Sequence, residues 1–303
     1  MAKSIYPGRG IHKQKFISSL RDGNLSKMLK VINSDSDLDV QIRNDYLNIY
    51  YRGGNIARVK SEASIEFDMY YYYQNTEGIP KKTIMGSPEI VRGLKLKRDA
   101  LIKKFKAGYY KEYFDDGKAA IDDWLKISPK PERMEQHQLA IENQYGKSDY
   151  TIIDLEYEVS IRSDFKCTYI PPGKDVPKKP RFDIVAVNKT GKLCIIELKK
   201  GAKSLEGTSG LQEHWDCYRN SIRRNYDPFI NEMKTVLSQK HAFGLIDGRV
   251  QILSPDPEFI FAYSYDDKTP QSEQDKKFDS VYNQIGEKIP IIKLGKGSFR
   301  LLD

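Results

Sequence analysis

Arg181-Phe182-Asp183-Ile184-Val185-Ala186-Val187 and Leu193-Cys194-Ile195-Ile196-Glu197-Leu198-Lys199 are two apolar runs of strand length, joined by Asn188-Lys189-Thr190-Gly191-Lys192. A three-residue hairpin loop, Lys189-Thr190-Gly191, favours glycine at its last position, where the backbone turns left-handed. That loop pairs Asn188 with Lys192, and counting back sets Asp183 directly opposite Glu197. Opposed residues on paired strands hold their Cβ atoms about 4.5–5.5 Å apart. Two carboxylates that close on apolar strands repel each other unless a cation lies between them. Mg²⁺ suits such a place, because it takes oxygen ligands and needs only one or two carboxylates, the rest of its shell being water and substrate phosphate.

Lys199 follows Glu197 by two residues, so strand alternation puts both on one face, with Leu193 and Ile195 deeper on it and Cys194, Ile196 and Leu198 toward the opposite layer. An apolar strand thus ends in an acid and a base beside a second acid. An ammonium there can orient or help deprotonate an attacking water and neutralise charge developing at a phosphate. Metal-assisted hydrolysis of a phosphodiester is the chemistry these residue types suggest.

Working outward, PERMEQHQLAIENQ (131–144) reads as a helix and YTIIDLEYEVSI (150–161) as a strand. A Pro/Lys loop, YIPPGKDVPKKP, separates that strand from the hairpin, and SGLQEHWDCYRNSI (209–222) is helical again. The tail alternates through LIDGRVQIL and FIFAYSY, a polar helix at about 271–285, then IPIIKL and SFRLL. The expected fold class is α/β with a mixed sheet over residues 131–303.

Phe182-Asp183, followed after thirteen residues by Ile196-Glu197-Leu198-Lys199, resembles the signature of the PD-(D/E)XK nuclease superfamily, with Arg181 where that motif's proline would stand. The order helix, three-strand meander, helix is similar to the superfamily's αβββαβ restriction-endonuclease-like core, over about residues 131–225. The resemblance implies that Asp183 and Glu197, with the carbonyl of Leu198, bind Mg²⁺ (Mn²⁺ able to substitute), and that Lys199 acts on the attacking water. It also implies a glutamate on the preceding helix, for which Glu135 is preferred over Glu142, and a polar group on the following helix, with Gln212 and His214 as candidates beside Lys203 and Gly210. Glu156 and Glu158, on one face of the first strand, are further acids placed to approach the ion.

Residues 1–130 form a different region. They carry 24 Lys+Arg against 16 Asp+Glu, a net of +8, whereas residues 131–303 carry 26 of each. A concentrated positive field attracts polyanions, of which nucleic acid is the commonest inside cells. After a polar lead-in (1–34), the runs LDVQIR, YLNIYY, NIARVK and SIEFDMYYYY suggest a small antiparallel meander at about 38–73, with a hairpin at Arg52-Gly53-Gly54-Asn55. Tyr70–Tyr73 read more readily as a strand with one ring face in the core than as a base-stacking ledge. Ser87-Pro88-Glu89 opens a helix expected over about 88–114, with Val91, Leu94, Leu101, Ile102, Phe105 and Tyr109 on one stripe. Its other face carries Arg92, Lys95, Lys97, Arg98, Lys103, Lys104 and Lys106, the best candidates for phosphate contacts. The expected organisation is a basic N-terminal α+β domain, 1–130, which binds nucleic acid or a partner, and a catalytic domain, 131–303.

Other chemistries are excluded. The cysteines Cys167, Cys194 and Cys217 form no CxxC, the four histidines are scattered, and no P-loop, HExxH or GxSxG occurs. The opening MAKSIYPGRG has no apolar segment of a secretion signal, and no run approaches a membrane span. A cytoplasmic Mg²⁺-dependent endonuclease is expected, acting on DNA in preference to RNA, in a restriction, phage-defence or mobile-element setting. A partner such as a separate ATPase fits a chain without its own motor motif, and homodimerisation would let both strands be cut. The rivals are a non-catalytic nucleic-acid-binding protein and a nuclease-fold subunit of a larger complex.

Overall fold

The computed structural model describes residues 8–73, 85–159, 181–224, 226–254, 256–295 and 298–302. It is a mixed α/β protein with two sheets, and the described residues form eight α-helices and nine strands. The Pro/Lys loop and Cys167 lie outside the described residues. The chain divides into two compact units, one of residues 10–141 and 239–245, the other of Gly8–Arg9, 142–238 and 246–302. The division therefore falls at 141/142 instead of 130/131.

In the N-terminal unit, the lead-in is two short helices, α1 (Gln14–Arg21) and α2 (Asn24–Asn33), which bury Phe16, Leu20, Leu25, Met28, Leu29 and Ile32. The meander follows as β1 (Leu38–Ile42), β2 (Leu47–Tyr51), β3 (Gly54–Val59) and β4 (Ile65–Glu66), antiparallel and in chain order. Leu38, Val40, Ile42, Leu47 and Ile49 are all buried, as period-2 alternation requires. The tyrosine run is not a strand: Met69–Tyr72 is a 3₁₀ turn, opened by the Asp68 carboxylate accepting from the Tyr70 N–H at 3.0 Å. Tyr71 and Tyr72 pack edge-on and tilted against Phe67, with centroids 5.4 and 5.6 Å away, which favours the packing role over a stacking ledge.

The single long helix expected at 88–114 is two helices, α3 (Pro88–Lys106) and α4 (Tyr110–Ile127). Gly108, at φ 83°, breaks the run by adopting the left-handed conformation that terminates helices. In consequence Tyr109 leaves the apolar stripe and is exposed, while Leu94, Leu101 and Phe105 stay buried on it. Tyr113 of α4 is fully buried and donates its hydroxyl to the Ile56 carbonyl at 2.7 Å, fixing helix to sheet. Helix α5 (Pro131–Glu142), read as the start of the catalytic region, has its residues through 141 in this N-terminal unit.

The C-terminal unit is built on β5 (Tyr150–Glu158), β6 (Arg181–Asn188), β7 (Leu193–Lys200), β8 (Glu258–Ser264) and β9 (Ile291–Lys293), adjacent in that order. The first three are antiparallel, and β8 and β9 then add in parallel, so the sheet is mixed. Seven of the eight β7 residues are buried, as a central strand between β6 and β8 demands. Helix α6 (Leu211–Arg219) packs on β8 through Trp215 and Tyr218, whose rings lie 5.6 and 4.9 Å from that of Phe259. Two more helices follow, α7 (Asp227–Ala242) and α8 (Gln271–Tyr282). Arg9 closes the edge strand: its Nε meets the buried Asp154 carboxylate at 2.7 Å and its guanidinium lies over the Tyr157 ring. The stretch LIDGRVQIL, despite its alternation, forms no strand.

Candidate active site

The β6–β7 hairpin has the expected register. Asn188 donates its N–H to the Lys192 carbonyl at 2.9 Å, and Gly191 takes φ 80°. Pairing runs from Val187↔Leu193 to Ile184↔Ile196 and ends one step short of Asp183 and Glu197, whose carboxyl groups nevertheless interact. Asp183 is anchored by the Leu198 N–H, which donates to its Oδ2 at 3.0 Å. The amide of Leu198, the residue expected to offer its carbonyl to a metal, is thus already engaged with the carboxylate pair.

Glu197 is 2% exposed and Lys199 5%, and they meet as alternation predicts, Nζ to Oε1 at 2.8 Å. The same Oε1 receives His214 Nδ1 at 2.9 Å. Glu197 Oε2 is buried, and among the described residues no donor reaches it. One carboxylate oxygen is therefore held by two nitrogen donors and the other by none.

The electrostatics divide the two acids. For Asp183, burial and the Glu197 charge push the pKa well above the usual carboxylate range, and neither Lys199 nor the Leu198 N–H restores it. The residue is only half-buried by surface area. Its carboxyl, however, is surrounded by Glu197, Lys199 and the Leu198 amide, and that dense setting decides its solvation. Burial also opposes ionisation of Glu197, but the Lys199 ammonium and His214 outweigh it and bring its pKa down to about 2. The two acids are thus driven apart, Asp183 toward its protonated form and Glu197 toward its ionised one.

This donor set fits a hard divalent cation. Two oxygen-bearing side chains converge, one buried oxygen lacks a donor, and Mg²⁺ requires no more than one or two carboxylates. Among the described residues no group of three or more His, Cys, Asp or Glu side chains gathers in an arrangement that could hold a metal, so the pair would leave most of the shell to water and substrate. Such a cation would be held by Asp183 and Glu197 Oε2.

The remaining sequence candidates separate. Gln212 is exposed and its Nε2 bonds Asp216 Oδ2 at 3.0 Å on its own helix, whereas His214, two residues on, reaches Glu197. Glu156 adopts a left-handed φ of 48°, lies 3.9 Å from the Arg181 guanidinium and turns its carbonyl to Arg9 at 3.0 Å. Glu158 is exposed. Glu135 lies on the part of α5 that belongs to the N-terminal unit, and Glu142 is the first residue of the C-terminal one. On α3, Arg98 pairs with Asp99 at 2.7 Å and Lys104 with Asp116. Arg92, Lys95, Lys97 and Lys103 are exposed and form no ion pair among the described residues.

No protein-family model matches the chain, and neither a curated protein nor a solved structure matches it. No helix among the described residues is long and apolar enough to cross a membrane.

Proposed function

We propose that the protein is a Mg²⁺-dependent nuclease of the PD-(D/E)XK type, with its site on the β6–β7 hairpin and DNA as the preferred substrate. The observation that carries this reading is the bare, buried Oε2 of Glu197 beside Asp183, with Lys199 on the same carboxylate. A fold that sought only stability would have no use for two buried acids closed on each other, since an apolar pair of similar volume would serve as well without the cost of desolvation. The strand order, with three antiparallel strands followed by a parallel β8, and a helix after β7, supports a restriction-endonuclease-like core.

A Mg²⁺ ion bound here supplies positive charge to a phosphoryl oxygen and lowers the pKa of water. The chain's own residues do the rest. Asp183, held by the Leu198 N–H, and Glu197, held by Lys199 and His214, fix two oxygens in space. The Lys199 ammonium, near the end of an otherwise apolar strand, orients the attacking water and offsets charge that develops on the phosphate. Arg92, Lys95, Lys97 and Lys103 bind phosphates of the polynucleotide.

Two measurements test this. Fluorescent duplex and single-stranded oligonucleotides of DNA and RNA, incubated with Mg²⁺ or Mn²⁺ and with chelator, should be cleaved only with metal, DNA fastest. Cleavage that persists in chelator contradicts the reading. Replacing Arg92, Lys95, Lys97 and Lys103 together with glutamine should weaken duplex binding at low salt. It should also make the log–log salt dependence shallower, by up to about 0.9 for each phosphate that is no longer neutralised. An unchanged slope, measured by fluorescence anisotropy, would return that helix face to plain solvation.

A further inference from the structure

We propose that His214 is a positioning residue for Glu197, the group that keeps this carboxylate aimed at the cation when Lys199 leaves it. The inference rests on the nuclease reading and adds a residue whose role the hairpin motif does not specify. Glu197 Oε1 accepts from two donors at once, Lys199 Nζ at 2.8 Å and His214 Nδ1 at 2.9 Å, while Oε2 has none among the described residues. Because the acceptor is an ionised carboxylate, the nitrogen that faces it must carry the proton, so Nδ1–H is the donor.

The two donors differ in what they can do next. Lys199 is a long, flexible cation on the same strand as Glu197, and its proposed task at water and phosphate requires Nζ to move off Oε1. His214 stands on α6, whose neighbouring residues Leu211, Trp215 and Tyr218 are buried. Its ring is therefore set by helix packing and does not follow the lysine. With the ring in place, Oε1 stays bound and Oε2 keeps its direction throughout. Without it, a departing Lys199 releases the whole carboxylate. Partners that orient a metal-binding side chain in this way typically contribute about 10–100-fold in metal affinity.

The test uses the full-length protein and Mn²⁺ alone, with free Mn²⁺ counted by electron paramagnetic resonance, so that no cleavage is involved. His214→Phe keeps the ring's volume and removes the donor, whereas His214→Asn removes the ring but places an amide nitrogen near the position of Nδ1. Circular dichroism and thermal unfolding check that each variant is folded. The expected result is about a tenfold rise in the Mn²⁺ dissociation constant for His214→Phe, and a value within about threefold of wild type for His214→Asn. Wild-type affinity in folded His214→Phe would overturn the proposal, and so would a His214→Asn variant as weak as His214→Phe. Absence of Mn²⁺ binding by the wild-type protein would remove the nuclease reading itself, and this inference with it; the two failures are thus distinct.

Discussion

Lys199→Ala is expected to lower phosphodiester cleavage by about 10²–10⁴-fold, the range that a positioned proton-transfer group contributes, while nucleic-acid binding stays within about twofold. The place of the side chain explains why. Lys199 is 5% exposed near the end of an apolar strand and directs its ammonium to Glu197 Oε1, not to the surface. Removing it takes away the group that orients water and offsets developing charge, but touches none of the cations of α3 that contact phosphates in the proposal. It should not weaken Mn²⁺ binding greatly either, because His214 still holds Oε1 and the deleted charge repels an incoming dication. Single-turnover cleavage, anisotropy and Mn²⁺ binding on one preparation separate these effects. A variant that binds neither metal nor duplex would show that the lysine is a structural partner of Glu197 and nothing more.

Asp183→Asn is expected to abolish cleavage and yet stabilise the metal-free protein at alkaline pH. The pKa of Asp183 is raised in the folded state by burial and by Glu197. A carboxyl raised in this way binds its proton more tightly when folded than when unfolded, for which the ordinary value is about 4. Its contribution to stability is complete below about pH 4 and is lost as pH rises through the folded-state value. The loss is at most about 1.4 kcal/mol per pH unit over that interval, or roughly 3–6 °C in melting temperature for a unit of this size. Asparagine mimics the protonated acid, accepts the same Leu198 N–H and does not titrate. In chelator, the melting temperature of the variant should stay above that of the wild type by a margin that widens with pH. Glu197 works in the opposite sense: held down to about 2, it contributes stability that is present at neutral pH and disappears only as pH falls toward that value. Parallel melting curves for variant and wild type across pH 5–9 would contradict the raised pKa of Asp183.

The hairpin was legible in the sequence because two independent signals agree there. Strand alternation fixed which residues share a face, and a glycine at the end of a three-residue turn fixed the register from Val187↔Leu193 to Ile184↔Ile196, so the neighbourhood of Asp183 and Glu197 could be counted without any tertiary information. Choosing between Gln212 and His214 was beyond such reasoning. Two residues apart on a helix point in nearly opposite directions, and only the packing of Trp215 and Tyr218 on β8 decides which one faces the sheet. Helix α7 escaped notice although Asp227-Pro228 marks its start and Phe229, Met233, Val236 and Leu237 its buried side. The split of α3 from α4 turned on Gly108 alone, which a helical stripe read through. Helix α5 illustrates a further limit: its sequence adjacency to β5 suggested one unit, but residues through 141 group with the meander. In the C-terminal tail, LIDGRVQIL alternates without forming a strand, which shows that period alone does not make a sheet.

The most direct measurement is cleavage of supercoiled plasmid by the purified protein with Mg²⁺ or Mn²⁺, with EDTA, and with a Glu197→Ala variant prepared in parallel. Nicked or linear product that requires metal and vanishes in the variant is the predicted result, since Glu197 carries the bare oxygen on which the proposed site depends. Equal cutting by wild type and variant would place the activity elsewhere and contradict it.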